Sequence, residues 1–208
     1  MKNNIPFRIE ASGTEGLIIE SAYKALLEHG YADVTMKKIG DELPRSTSII
    51  YTYYDSKDDL LLALLQHLLR WFEPKEIDTS VDPHSQLIKH IESLLEILSK
   101  ESERNGFVTI AELRVNAKHN GRFQDKFEEL DSVCKSHFSK LIEQGIEKGQ
   151  YKEVDPEPVA LFLYSSVVGE LSLHCMSENS TESNAMRELR CYLQTRLLDS
   201  EEFQEGYR

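Results

Sequence analysis

The chain has 208 residues, 40% hydrophobic and 29% charged, with three cysteines and a formal net charge of -12. That length suits one large core or a small module joined to a larger one, and the balance is that of a folded chain, which excludes global disorder. No run approaches the roughly 18 apolar residues of a membrane span, and Cys134, Cys175 and Cys191 are too widely spaced for a disulfide framework or a zinc knuckle.

The start, MKNNIPFRIEASGTEG, lacks the apolar region of a secretory signal, so a cytoplasmic location is expected. Thr14 can cap a first helix whose Leu17, Ile18, Ala22, Ala25 and Leu26 share one face, and Gly30 can end it by adopting a positive φ. Thr35 opens a short segment running to Leu43 and broken at Pro44. Ser46 or Thr47 can cap the next, which carries Ile49, Ile50, Tyr51, Tyr53 and Tyr54. Two short helices separated by about three residues are the raw material of a helix-turn-helix.

Asp55 or Ser56 then caps a connecting helix, Lys57 to Phe72, whose acidic first turn suits the helix dipole. From Glu73 to Pro83 the pattern lapses into a loop. Helical periodicity returns at Leu87, Ile88, Ile91, Leu94, Leu95 and Leu98, again from Phe107 to Ala117, and again from Phe123 to Ile142, ending near Gly145 to Gly149. Between Pro158 and Met176 apolar residues occupy nearly the whole helix circumference, so that helix must be covered on all sides. The expected cover is its own core on one face and a second copy of the chain on the other, with small residues at Ser165, Ser166 and Gly169 permitting close approach. A final amphipathic helix through Ala185, Met186, Leu189, Leu193 and Leu197 could complete a four-helix dimer interface, for which Tyr164, Ser165, Val168, Gly169, Leu189 and Leu193 are the candidates.

No two-residue alternation of useful length appears, so the predicted fold is all-α. It comprises an N-terminal three-helix module with the helix-turn-helix, residues 1–55, and a larger C-terminal helical domain for effector binding and dimerisation, residues 56–208.

The segment TMKKIGDELPRSTSIIYTYYDSKDDL, Thr35 to Leu60, closely resembles the TetR family of transcription regulators. The resemblance is carried by the first helix ending in Gly30-Tyr31, the Thr opening the second, the Ile-Ile-Tyr-x-Tyr-Tyr run of the third and the Ser-Lys-Asp-Asp-Leu starting the fourth. It is strong over residues 14–70 and architectural over residues 86–198. It implies a DNA-binding homodimer, with Thr35 and Lys37 of the second helix and Lys57 of the fourth contacting phosphates, which position the protein without reading sequence.

A recognition helix needs short polar side chains that reach base edges in the major groove; Ser46, Thr47, Ser48 and Thr52 supply them. Tyr51 and Tyr53 offer phenols on stiff arms, whereas Ile50 and Tyr54, four apart, face the core. Between Thr35 and Lys57 four basic side chains stand against three acidic ones, so this segment escapes the general acidity. It departs from the commonest family pattern at Pro44, where Gly is usual, at Arg45, where an apolar residue is usual, and at Thr47-Ser48, which replace a frequent Lys-Gly pair. Arg45 is either a DNA contact or a solvated turn residue.

Effectors in this family lie in a mostly apolar cavity among the middle helices. The candidates here are Trp71, Phe72, Phe107, Arg114, Phe123, Tyr164 and His174, each of which also has a structural reading as core or edge. No metal and no cofactor is expected: His119, His137 and His174 lack a Glu three residues before them, and HExxH is absent. GxGxxG, GxSxG and the P-loop pattern are absent too, so an enzyme is not expected. Two functions remain open. One is a repressor released from a pseudo-palindromic operator in double-stranded DNA by a small apolar or amphipathic molecule; the other is a helical ligand-carrier or protein-interaction module that has lost DNA binding.

Overall fold

The computed structural model describes residues 13–96, 101–174 and 184–198, with the side chains at 101, 102, 119, 174, 184 and 185 excepted. Every regular element among them is helical. In order these are α1 (Gly13–Asp33), α2 (Met36–Asp41), a 3-10 helix (Thr47–Thr52), α3 (Lys57–Leu69), α4 (Pro83–Leu95), α5 (Glu101–Asn116), a 3-10 turn (Ala117–His119), α6 (Gly121–Glu147), α7 (Pro156–His174) and α8 (Asn184–Leu197). None of the described helices is long and apolar enough to cross a membrane.

The chain forms two compact units, Met1–Phe72 with Lys100–Leu130, and Glu73–Ser99 with Asp131–Arg208. Compactness therefore groups α3, α5 and the start of α6 with the N-terminal helices. In this first unit, α1 buries Ile18, Ile19, Ala22, Tyr23, Ala25 and Leu26 against Leu60, Leu61, Leu64, Leu65 and Leu68 of α3 and Phe107, Ile110 and Leu113 of α5. Each of these larger aliphatic side chains contributes about 1.5–3 kcal/mol by leaving water. Gly30 takes φ 71°, outside the helical region, so α1 breaks there as its glycine predicts. The amide of Tyr31 just beyond the break donates to Glu112 Oε1 of α5 at 2.6 Å.

In the second unit, Asp82 caps α4, its carboxylate accepting from the Ser85 amide at 3.0 Å, and Pro83 follows at the first helical position. Its core joins Leu87, Ile91 and Leu94 of α4, Phe138, Leu141 and Ile142 of α6, Val159, Leu163, Val167 and Leu171 of α7, and Leu189, Leu193 and Leu197 of α8. His90 of α4 meets His137 of α6 with ring centroids 4.8 Å apart. Burial first, and then the neighbouring His137, bring the His90 imidazole down to about 4.

α7 is two-sided, as its all-round apolar sequence predicts. Leu161 (51% exposed), Phe162 (46%) and Leu173 (73%) lie outside while the core residues lie inside. Ser165 is exposed, Val168 and Gly169 are half-buried, and a Cβ built at Gly169 meets no atom. The α8 candidates behave otherwise. Leu189 and Leu193 are buried in their own unit, on the apolar stripe by which α8 covers its core.

Candidate nucleic-acid interface

The second helix of the module is started by its cap. Thr35 is extended, with φ -134° and ψ 159°, and its Oγ1 accepts from the Lys38 amide at 3.2 Å, leaving this predicted phosphate contact on the surface as the N-cap of α2. Lys37 is exposed, with no hydrogen bond or ion pair among the described residues. Lys38 is tied down, its Nζ donating to the Asp33 carbonyl at 2.9 Å.

The segment expected to be an α-helix is a 3-10 helix over Thr47–Thr52. It has only six residues, four of them β-branched (Thr47, Ile49, Ile50 and Thr52), which crowd the preceding turn of an α-helix and leave the tighter coil competitive over so short a run. With three residues per turn, Thr47 and Ile50 share the inner face. Ile50 is fully buried. Thr47 covers Gly40 of α2 so closely that a Cβ added at Gly40 would lie 2.8 Å from Thr47 Cβ. Gly40 is thus the contact point of the helix-turn-helix, and the sequence signal for it was a lone glycine inside a helical run. Thr47, predicted to read DNA, is turned at least partly into this joint.

The opposite faces are open. Ser46, Ser48, Tyr51, Thr52 and Tyr53 are all exposed, with Tyr51 at 57% and Tyr53 at 47%. Tyr54 turns inward, its phenol donating to Glu15 Oε1 of α1 at 3.1 Å, and burial followed by this bond holds its ionisation well above the ordinary range. Arg45 is exposed and its Nη1 donates to Thr14 Oγ1 at 3.4 Å, so the turn residue is oriented by α1.

Lys57 is half-buried at the first turn of α3, Nζ donating to the Tyr31 carbonyl at 3.3 Å and lying 4.8 Å from the centre of the Tyr31 ring. Its charge is therefore already engaged with the end of α1. Around it lies a network that residue patterning did not single out. Asn120 Nδ2 donates to Asp58 at 3.1 Å, Arg122 Nη1 pairs with Asp59 at 2.5 Å, and Phe123 meets Tyr31 edge-on at 6.3 Å. Hydrogen bonds from Ser56 and then Arg122 hold the Asp59 carboxyl below the usual carboxylate range. Long-range partners such as Glu112, Asn120 and Arg122 leave no local sequence signal.

The effector candidates fall into separate places. Phe72 is buried against Phe107 with centroids 6.1 Å apart, and Trp71 beside it is half exposed. Arg114 lies 4.7 Å from the centre of the Phe127 ring, and Phe123 is fully buried against Tyr31. These belong to the first unit, whereas Tyr164, donating to Asp131 Oδ1 at 2.6 Å, belongs to the second. The side chain of His174 lies outside the described residues, as do that of His119 and the whole of Cys175. Among the described residues no three His, Cys, Asp or Glu side chains are grouped so as to hold a metal ion.

Residues 18–64 match the family model described as bacterial regulatory proteins, tetR family. The chain is 31% identical to a TetR transcription regulator from Haloarcula marismortui ATCC 43049, with a TM-score of 0.78 over 88% of this chain and 97% of that one. The chain belongs to the TetR family. As a TetR-family protein it is a DNA-binding transcriptional regulator and not an enzyme. This TetR-family chain is also 26% identical, over 149 residues, to the HTH-type transcriptional regulator YhgD of Bacillus subtilis (strain 168), an alignment covering 71% of this chain and 76% of YhgD. It shares its fold with a transcriptional regulator from Saccharomonospora viridis solved in complex with choline, at 17% identity and TM-score 0.75 over 89% of this chain and 97% of that one.

Proposed function

We propose that the chain is a homodimeric repressor, acting in the cytoplasm, that leaves a pseudo-palindromic operator when a small apolar or amphipathic effector binds. The observation that carries this is the outward set Lys37, Ser46, Ser48, Tyr51, Thr52 and Tyr53, held on a joint whose inner side chains are packed. Residues 1–55 are the DNA-contacting module and residues 56–208 the effector and pairing domain. In a two-fold dimer, two such segments enter successive major grooves about 34–36 Å apart. The α7 face with Leu161, Phe162, Ser165 and Gly169 supplies an apolar, closely approachable surface for that pairing.

Trp71, Phe72 and Phe107 give the effector region its aromatic character. Coupling to the DNA-contacting module has a physical route within the first unit. Glu112, Asn120 and Arg122 grip the Tyr31 amide, Asp58 and Asp59, so a displacement of α5 or of the start of α6 reaches the end of α1 and the first turn of α3 without an intervening loop. An effector acts by the difference in its affinity for the two resulting states.

The experiment is selection of genomic fragments by the purified full chain, followed by titration of small molecules into the complex. Binding is expected to weaken steeply as salt rises, through counterion release, and to be relieved by an effector. Absence of any salt-dependent binding would instead favour a carrier module without DNA affinity, and binding that no effector relieves would remove the ligand-release step.

A further inference from the structure

The outward surface of the recognition segment has an unexpected chemistry. Between Ser46 and Tyr54 there is no Arg, Lys, Asn, Gln, Asp or Glu. It therefore lacks the side chains that make bidentate pairs with guanine or adenine and those that accept from cytosine. Several of its hydroxyls already have partners or packing within the protein. Ser46 Oγ and Ser48 Oγ bond one another at 2.9 Å, Thr47 is packed on Gly40, and the Tyr54 phenol serves Glu15. Thr52 Oγ1 donates to the Ile49 carbonyl at 2.6 Å. That bond holds the hydroxyl against the segment's own backbone and leaves the methyl as the end of this exposed side chain available to a partner. Arg45, the nearest cation, is turned toward Thr14 on α1.

Among the exposed side chains of this segment, Ser46, Ser48, Tyr51, Thr52 and Tyr53, the apolar surface is thus that of the Thr52 methyl and the Tyr51 and Tyr53 rings. The base pairs offer one apolar group in the major groove, the C5-methyl of thymine. Resting on the assignment of this surface to DNA, we propose that the operator is read chiefly through thymine methyls, met by the Thr52 methyl and the Tyr51 ring. The phenols add contacts that tolerate sequence. Specificity of this kind favours thymine-bearing half-sites whose groove admits the tyrosines, in place of guanine-centred ones.

The test uses the full chain and a random-core duplex pool. The most enriched duplex is resynthesised with uracil, which differs from thymine only by that methyl, at each thymine in turn, and affinities are read by fluorescence anisotropy. Uracil at the contacted thymines is expected to weaken binding about fourfold for each methyl lost, the worth of one buried methyl. Thr52→Ser keeps the hydroxyl and removes the methyl, so it should weaken binding to the thymine duplex by a similar factor and cost nothing more on the uracil duplex. Tyr51→Phe should lower affinity while keeping the thymine-to-uracil ratio. Equal affinity for thymine and uracil at every position, or a Thr52→Ser variant with the parental ratio, would overturn the proposal while leaving DNA binding intact. Failure of the pool to enrich any duplex would overturn both.

Discussion

Gly40→Ala tests whether the joint between α2 and the recognition segment is as tight as the structure has it. Alanine in a helix is about 1 kcal/mol better than glycine by propensity, so with open space the substitution should stabilise the protein. The new carbon would instead stand 2.8 Å from Thr47 Cβ, with the other Thr47 side-chain atoms nearer still. Because a Cβ is fixed to its backbone, rotating Thr47 cannot relieve that contact and the 3-10 helix itself must shift. Overpacking of this kind costs about 1–3 kcal/mol, leaving a net loss near 1 kcal/mol. The recognition side chains move with the segment, so DNA affinity should fall about tenfold, the equivalent of about 1.4 kcal/mol. Urea unfolding at fixed protein concentration and anisotropy titration of a selected duplex measure the two effects. Thr47→Ala removes the atoms beyond Cβ, and in that background Gly40→Ala should cost about 1 kcal/mol less. If Gly40→Ala is simply stabilising, or if the two substitutions are additive, the close joint does not exist.

The remaining expectations are separable from this one. Tyr51→Ala should weaken DNA binding with unchanged thermal stability, because this residue is 57% exposed, whereas Lys57→Ala should lower thermal stability as well, since it loses the Tyr31 contacts; calorimetry beside anisotropy distinguishes them. His90 ionises near 4 in the folded chain against 6.5 in the unfolded one, so the unfolded state binds the extra proton first as pH falls. Stability is therefore whole above pH 6.5 and declines toward pH 4, by up to about 3 kcal/mol from this group, and His90→Phe should flatten urea-unfolding free energies across that window. Leu161→Asp should yield a monomer in sedimentation velocity, because two-fold pairing loses about 1.5–3 kcal/mol of apolar burial at each copy and gains a buried charge. A dimer that survives places the interface away from this face of α7.

Much of the architecture was legible because it follows from local physics. Caps at Thr35 and Ser56, the break at Gly30, the stripe of α1 and the all-round apolarity of α7 are statements about neighbours within a few residues, and the structure has each. Ile50 and Tyr54 were placed inward from their spacing, and they are inward. The helix type of Thr47–Thr52 was not legible, because periodicity locates a short coil without distinguishing 3.0 from 3.6 residues per turn over six residues.

The sequence by itself determined that this chain is all-helical and where several of its helices are capped or broken, since turn chemistry and apolar spacing act through the chain's own near neighbours. Only the tertiary structure decided that Thr47 closes onto Gly40, that Lys57 is held by Tyr31, that Leu189 and Leu193 belong to the core, and that Glu112, Asn120 and Arg122 clasp the N-terminal helices. Each of these depends on which distant residue arrives opposite a given side chain, and packing, not periodicity, settles that.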